Sequence, residues 1–339
     1  MAFQPSDAFK EVWTGRVVNR LRANALAYLL GNRSNEATVQ NNLNYRVANP
    51  SVTVTTGSRD RKSSDGSLAD ISALSADSGS LEWLTINVLA NQHFQTQIDQ
   101  RDVNYVTPIT LGSMQTEMVN EMVDWLDNEI WKYLKGQVGA SNTTAGVVAG
   151  GVTINRTTGR LTGGSKTQQL ATGNSIAEWV EDMQLSLGVK NARPNVGAQD
   201  LLSGVAVMTV PMHFALRDWL INKFGTTDQI VVEQLTTEAS IFGGVYRGSL
   251  FGVPILVTNA SELYAQDATA DTATELFRAF ALIPGNTFDN AVATYPMGIS
   301  TPSGDSVKYK FQQELEVWAG IVNPDSRGLF RQFTLPASE

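Results

Sequence analysis

The chain has 339 residues, a formal net charge of −8 and no cysteine. Without cysteine it has no disulfide, no thiolate metal site and no cysteine nucleophile. Its two histidines, His93 and His213, are too few for a histidine-rich metal site. Apolar residues make up 42% of the sequence, which is enough to bury a sizeable core. No run of about 18 or more apolar residues occurs, so no transmembrane helix is predicted.

The charge balance argues against a protein that grips nucleic acid. Such proteins cluster Lys and Arg, because counterion release from the phosphates drives their binding. This chain has 25 basic and 33 acidic residues. If DNA lies nearby, we expect the chain to contain it without binding it specifically. The N-terminal residues, Met1 to Asp7, lack the basic-then-apolar order of a secretion signal, which predicts a protein made and used in a cytoplasm.

The first periodic segment, residues 7–30, is predicted to be an amphipathic helix that stops at Gly31. Its apolar residues recur at every fourth position: Phe9, Trp13, Val17 and Leu21. Arg16 and Arg20 add positive charge to this helix. They fit either a solvated helix face or an arm that lies on a neighbouring subunit.

A protruding ribbon is predicted next. Residues 52–56 are β-branched, as a strand requires, and residues 83–89, which begin with Trp83, form a returning strand. The polar stretch between them, 57–80, carries three basic residues near its start: Arg59, Arg61 and Lys62. An isolated two-stranded ribbon is marginal in water, so we expect another chain to cover it.

Residues 109–137 form the strongest predicted helix. Its apolar stripe is Leu111, Met114, Met118, Met122, Trp125 and Leu126. At about 1.5 Å per residue the helix is about 40 Å long, which favours a spine that organises a flat molecule.

Four carboxylates are predicted to line one side of that helix: Glu117, Glu121, Asp124 and Asp127. A solvated face is favoured for them, and pairing with arginines of a neighbouring subunit is the alternative. Catalysis is disfavoured, because an acid and base pair needs environments that separate the two pKa values.

A region rich in Gly and Thr, 139–173, follows, with short strands at 152–155 and 160–162 that are predicted to pair. Within it, Gly159 to Thr167 nearly matches a phosphate-binding loop. Ser165 stands where that loop requires Lys, so a turn is favoured.

The second half of the chain predicts a mixed unit of helices and strands. The predicted helices are 175–188 and 212–224, and the predicted strands are 205–210, 252–258, 279–285, 307–322 and 327–335. His213 falls at a helix start, where a structural or capping role is favoured. His93 is favoured as a strand residue over a metal ligand.

This order of parts resembles the Hong Kong 97-type major capsid protein of tailed bacteriophages. The matching segments are Ile98 to Tyr105 before the long helix, Ser249 to Asn259, and Glu316 to Gly320 followed by Asp325 to Gly328. The resemblance implies an α+β fold of the Hong Kong 97 type. The implied parts are an N-terminal arm (1–49), an extended loop (50–98), a peripheral domain (99–197) with its spine helix (109–137), an axial domain (198–306) and C-terminal strands that return to the peripheral domain (307–339).

The same resemblance implies a structural protein. Its copies would form hexamers and pentamers in the icosahedral head shell that encloses the double-stranded DNA genome, in a virion assembled in the host cytoplasm. It implies no enzyme activity, cofactor, metal or membrane. Portal and cement or decoration proteins are implied partners. Because the chain reaches its arm directly after Met1, a separate scaffolding protein or none is expected. The alternative is a nanocompartment (encapsulin-like) shell around an enzyme cargo.

The predicted contacts between subunits are aromatic anchors and charged side chains. They are Trp13, Arg16, Arg20, Arg59, Arg61, Lys62, Trp83, Glu117, Glu121 and Asp124. Trp125 is predicted to be a further buried anchor. For Lys62 the resemblance also allows an isopeptide bond to Asn323 of an adjacent subunit. A solvent-facing or ion-pairing lysine is favoured, because no matching glutamate is identifiable.

Two other classes of protein are disfavoured. A carboxylate-dependent hydrolase would need a pair of acids with shifted pKa values in a pocket, and the sequence marks no such pair. A decoration or tail protein would not need the long helix and the arm.

Overall fold

The computed structural model describes residues 25–33, 45–52, 79–86, 88–99, 108–138, 142–146, 150–154, 161–189, 204–224, 246–264, 266–267, 274–285, 287–300, 308–321 and 330–337. Its helices are α1 (Leu26–Leu30), α2 (Pro108–Gln137), α3 (Lys166–Val189) and α4 (Val210–Phe224), with a 3₁₀ helix at Ser261–Tyr264. Its strands are β1 (Tyr45–Val52), β2 (Gly79–Ile86), β3 (Val88–Asp99), β4 (Thr143–Ala145), β5 (Val152–Ile154), β6 (Leu161–Gly163), β7 (Val205–Thr209), β8 (Tyr246–Leu250), β9 (Val253–Thr258), β10 (Gln266–Asp267), β11 (Thr274–Leu282), β12 (Asp289–Ser300), β13 (Lys308–Gly320) and β14 (Phe330–Ala337).

The larger sheet has seven strands in the order β4-β14-β11-β7-β9-β8, with β10 beside β11. Both of its faces are covered, so its central strands read as nearly continuous apolar runs. On β7, Ala206 and Met208 pack into one hydrophobic cluster with α3 and α4. Val205 and Val207, which point the opposite way, pack into a second cluster with α2.

The smaller sheet, β12-β13-β3, is antiparallel, and the middle of β13 alternates between apolar and acidic residues. Leu315 and Val317 of β13 lie in the cluster around α2. Glu314 and Glu316 alternate with them and lie on the other face, where Asn91 of β3 donates a hydrogen bond to each carboxylate. The glutamate face is not wholly solvated, because Trp318 of β13 is buried on that face opposite Ala291 of β12.

Two tryptophans join α2 to the two sheets. Trp131 is fully buried and stacks on Phe280 of the larger sheet, with ring centroids 5.5 Å apart. Phe280 stacks in turn on Phe330, at 5.7 Å. Half-buried Trp125 meets Phe94 of the smaller sheet edge to face at 5.8 Å. Trp125, predicted as an anchor between subunits, is therefore engaged within its own chain.

The long helix predicted at 109–137 is confirmed as α2, which begins one residue before the predicted start and ends at the predicted residue. The short pair β5 and β6 also forms as predicted. The returning strand predicted at 83–89 is two strands instead. β2 pairs with β1 along the ribbon, while β3 pairs with β13 in the smaller sheet.

The two predicted C-terminal strands form as β13 and β14, and they lie in different sheets. β13 lies in the smaller sheet, but β14 pairs with β11 in the larger one. The reason lies in the side chains of β14: Phe333 and Leu335 are buried in one cluster and Phe330 in the other. A strand that is apolar on both sides needs the sheet that is covered on both faces. Conversely β12, assigned to the axial domain, pairs with β13 in the smaller sheet.

Helix α3 begins nine residues before its predicted start, at Lys166 and not at 175. Ser165 and Gln168 form a capping box, in which the Gln168 N–H donates to Ser165 Oγ (3.3 Å) and the Ser165 N–H donates to Gln168 Oε1 (2.6 Å). The last residues of the apparent phosphate loop, Ser165 to Thr167, thus belong to a capped helix start. Gly173 lets α4 approach, because a Cβ there would lie 2.3 Å from Trp219 Cβ.

Candidate functional site

The described residues contain no group of three or more His, Asp or Glu side chains that could hold a metal ion. Within the same ranges, no helix has the length and apolar character needed to cross a membrane. The candidate functional features are the two places where the predicted arm and the predicted ribbon are attached to the rest of the fold.

The arm attaches through residues 25–33, which we call the arm anchor. It is buried at Leu26, Tyr28 and Leu30, where α1 packs in the cluster around α2. The N-cap residue of α1 is Ala25, which has no side chain able to accept from the free N–H groups of the first turn.

Asp127 of α2 supplies the missing cap from 100 residues away. The N–H of Leu26 donates to Asp127 Oδ2 at 3.1 Å, and the N–H of Ala27 donates to Oδ1 at 2.9 Å. Both carboxylate oxygens are therefore engaged by one helix N-terminus, where the helix dipole also favours negative charge.

The other end of the arm anchor is tied to the region around β12. Asn290 donates from its side chain to the Tyr28 carbonyl at 2.9 Å, and Gly285 N–H donates to the Leu30 carbonyl at 2.7 Å. Asn32 and Asp289 form an isolated parallel bridge beside these bonds.

Gly31 makes the close approach of the arm anchor possible. A Cβ on Gly31 would lie 2.5 Å from Asn290 Nδ2 and 2.7 Å from Phe288 Cε2. The arm anchor is thus held on one side by α2 and on the other by the start of β12.

Burial raises the pKa of Asp127 to about 7, from an ordinary value of 3.8. The backbone N–H groups of Leu26, Ala27 and Tyr28 oppose this rise, and the nearby charge of Asp124 adds to it. The carboxyl group therefore changes charge near neutral pH while it caps the arm anchor.

Asn128, the next residue of α2, caps a second element. Its Oδ1 accepts hydrogen bonds from the N–H of Glu262 and from Ser261 Oγ, both at 3.2 Å, at the start of the 3₁₀ helix. Lys135 adds an ion pair to Glu262 at 2.9 Å. Asp127 and Asn128, which we call the capping pair, thus fix two separate segments to α2.

The ribbon is attached by a small cluster that we call the ribbon root: Ile86, Ala291, Ala293 and Trp318. Ile86 is the last residue of β2, and the other three lie on β12 and β13. Gly320 leaves room for Ile86, since a Cβ there would lie 2.8 Å from Ile86 Cγ1. This cluster was not predicted from the sequence. The signal that could have indicated it is the alternation of small residues at Ala291 and Ala293 in one strand, together with Trp318 in the next.

No protein-family model matches the chain, and no curated protein sequence matches it. Solved structures do match. A chain in the capsid of Ralstonia phage GP4 aligns over 94% of this chain and 92% of its own length, with a TM-score of 0.60 and 11% identity. A chain of Mycobacterium phage Che8 aligns over 92% of this chain and 91% of its own length, with a TM-score of 0.51 and 17% identity. This chain has the Hong Kong 97-type capsid fold.

The predicted fold class is therefore confirmed: the chain combines helices and sheets in the Hong Kong 97-type capsid fold. Several predicted contact residues lie outside the described residues: Trp13, Arg16, Arg20, Arg59, Arg61, Lys62 and also Asn323. Trp83 lies on β2 opposite Ala48 of β1. His93 is exposed on β3, as predicted for a strand residue, and His213 is buried in the first turn of α4.

The prediction that four carboxylates of the long helix share one solvated face is wrong for Asp127. Glu117, Glu121 and Asp124, which we call the acidic row, are exposed. Asp127 is only 9% exposed. From Asp124 to Asp127 the helix turns through about 300°, which moves Asp127 about 60° off the row to the border of the buried face, where α1 covers it. Helical spacing correctly predicted that the acidic row is exposed, but it could not show that Asp127 caps a helix about a hundred residues away.

Removing the charge of Asp127 should change how stability depends on pH. The folded state binds the proton of Asp127 more tightly than the unfolded chain does, so this group stabilises the fold below pH 4 and loses that contribution as pH rises to about 7. Each pH unit in that window contributes about 1.4 kcal/mol. In the wild type we expect the free energy of unfolding to fall by about 2–3 kcal/mol between pH 5 and 7 because of this group. In Asp127→Asn this fall should be absent.

Urea unfolding of both proteins at several pH values measures this difference. Glu121→Gln, which removes an exposed acid from the same helix, is the control and should leave the wild-type slope in place. Parallel pH profiles for the wild type and Asp127→Asn would show that Asp127 is not the titrating group.

Truncating the ribbon root should loosen the ribbon. Ile86 is 3% exposed, so Ile86→Ala leaves a cavity against Trp318 and is expected to cost about 2–4 kcal/mol. Hydrogen exchange should accelerate in β1 and β2 before it does in α3 and α4. Val88→Ala removes a 38% exposed side chain two residues away and is the matched control. Equal exchange in the two variants would contradict the assignment of Ile86 to the attachment.

Proposed function

We propose that the chain is the major capsid protein of a tailed bacteriophage. Its copies assemble, through hexamers and pentamers, into the icosahedral head shell that encloses the double-stranded DNA genome. The observation that carries the proposal is the likeness of fold to the capsid of Ralstonia phage GP4 over nearly the full length of both chains. A fold shared from end to end leaves little of this chain for an added catalytic domain, and the protein is proposed to be structural and not an enzyme.

The two attachments fit this function. The arm anchor follows directly on residues 1–24, the larger part of the predicted arm, and the ribbon root lies at the end of β2, which closes the predicted ribbon. A subunit with fixed roots and long extensions can reach its neighbours without unfolding its core. We propose that the extended loop lies over one neighbour and the arm under another, so that many modest contacts hold the shell.

The acidic row is proposed as a contact with a neighbouring subunit. Glu117, Glu121 and Asp124 are exposed along the spine helix, and the predicted arm and loop carry arginines. Opposite charges across an interface guide the register of association more than they add affinity. A shell reconstruction in which no basic side chain comes within about 4 Å of these carboxylates would exclude the pairing.

The net charge of −8 suits a wall that faces packaged DNA. Phosphates and an acidic inner surface repel, so the genome is proposed to be contained without specific binding. The proposed location is the virion, with assembly in the host cytoplasm. A scaffolding protein, a portal and a cement or decoration protein are the proposed partners, and no membrane partner is proposed.

A nanocompartment shell around an enzyme cargo is the alternative that the same fold allows. It is not favoured, because the two similar structures described above come from phages. The proteins encoded beside this chain would distinguish the two: a portal and a packaging motor accompany a phage shell, and a cargo enzyme accompanies a nanocompartment.

Expression of the full chain followed by negative-stain electron microscopy tests the proposal. Closed shells, or hexameric and pentameric rings, are expected. A chain that stays monomeric both alone and with the scaffolding protein of its own genome would contradict the proposed function.

Shortening the ribbon should separate folding from assembly. Replacement of residues 57–78 by a short Gly-Ser turn leaves every paired residue of β1 and β2 in place. We expect the circular dichroism spectrum and the melting temperature to be close to those of the wild type, while shells disappear from micrographs. Normal shells from this variant would refute the role of the extended loop.

A further inference from the structure

The turn between β8 and β9 has an unusual residue in a demanding position. Leu250 pairs with Val253, so the turn consists of two residues, Phe251 and Gly252. Both have positive φ, +53° and +78° respectively. Two-residue turns of this geometry favour Asn-Gly or Asp-Gly, because those residues tolerate the left-handed region. A bulky side chain there costs about 1–2 kcal/mol.

Phe251 is also exposed. Its exposed fraction is 43%, the larger of the two values among the exposed large apolar side chains in the described ranges. The flanking residues, Leu250 and Val253, are buried, with exposed fractions of 5% and 1%. A single exposed apolar residue is ordinary on a protein surface. An exposed phenylalanine in a strained backbone conformation is unusual. It increases neither the stability nor the solubility of the isolated subunit.

The strand beside this turn is poorly suited to pairing with another strand. β8 is an edge strand of the larger sheet, and its register with β9 shifts between Tyr246 and Ser249. Gly248 lies in that interval with φ +98°. Such irregularities interrupt the row of backbone groups that an incoming strand would use. At this margin, contact through a side chain is therefore favoured over an added strand.

We propose that Phe251 is an aromatic anchor that inserts into an apolar recess of a second copy of this chain. The inference rests on the proposed shell function, in which like subunits contact one another. A two-residue turn restricts the backbone that carries the ring, so that binding orders little additional backbone. Buried aromatic anchors of this kind supply a large share of the energy in an interface.

Phe251→Asn in the full chain separates this role from a structural one. Asparagine suits the left-handed position, so the isolated subunit should unfold at the same or a higher urea concentration than the wild type. The protein concentration needed for shells to form should rise at least about tenfold, which corresponds to the loss of about 1.4 kcal/mol per contact. Phe251→Tyr keeps the ring and is the matched control, with assembly at the wild-type concentration.

Photo-cross-linking from position 251 identifies the occupant. A benzophenone side chain placed there should give adducts between two copies of this chain in assembled samples. Wild-type shells combined with equal assembly of Phe251→Asn would overturn the inference and leave the proposed function standing. A parallel loss of subunit stability and assembly, or adducts only with a different protein, would overturn it as well. If the wild type forms no shells under any condition, the proposed function fails first and this inference with it.

Discussion

Two consecutive side chains in the middle of α2 fix two distant segments of the chain to that helix. Asp127 accepts from the first turn of α1, and Asn128 accepts from the first turn of the 3₁₀ helix. Each short helix has free N–H groups that must be satisfied, and neither could form alone in water. The capping pair therefore makes two distant parts of the chain dependent on α2. Trp131 and Trp125 extend that dependence to the two sheets.

The burial of Asp127 has an energetic cost that the arm anchor offsets only in part. Desolvation opposes the charge of the carboxylate, and the backbone donors of α1 favour it, so the pKa of Asp127 comes to lie near 7. A neutral amide such as Asn would avoid the desolvation cost but could accept through one oxygen only. The ionised carboxylate offers two acceptor oxygens to one helix N-terminus, which matches the two hydrogen bonds that Leu26 and Ala27 donate.

Much of the fold could be predicted from the sequence, because apolar spacing reports which faces are buried. The stripe from Leu111 to Leu126 identified α2, and the apolar run of β7 indicated a strand that is covered on both faces. Contacts between distant segments left no such pattern. Asp127 resembles its exposed neighbours in the sequence, and its partners lie about a hundred residues away. The sequence also could not show which sheet β14 joins, because that depends on which sheet is covered on both faces, and this is a property of the whole fold.

The proposed shell function depends on rigid roots for extensions that reach other subunits, and a cryo-electron microscopy reconstruction of assembled particles tests that claim most directly. In every subunit we expect α1 to be docked under the Asp127 carboxylate and β2 to leave the body at Ile86, with the ribbon lying over an adjacent subunit. Particles in which α1 has left Asp127, or in which each ribbon folds back on its own subunit, would contradict the account.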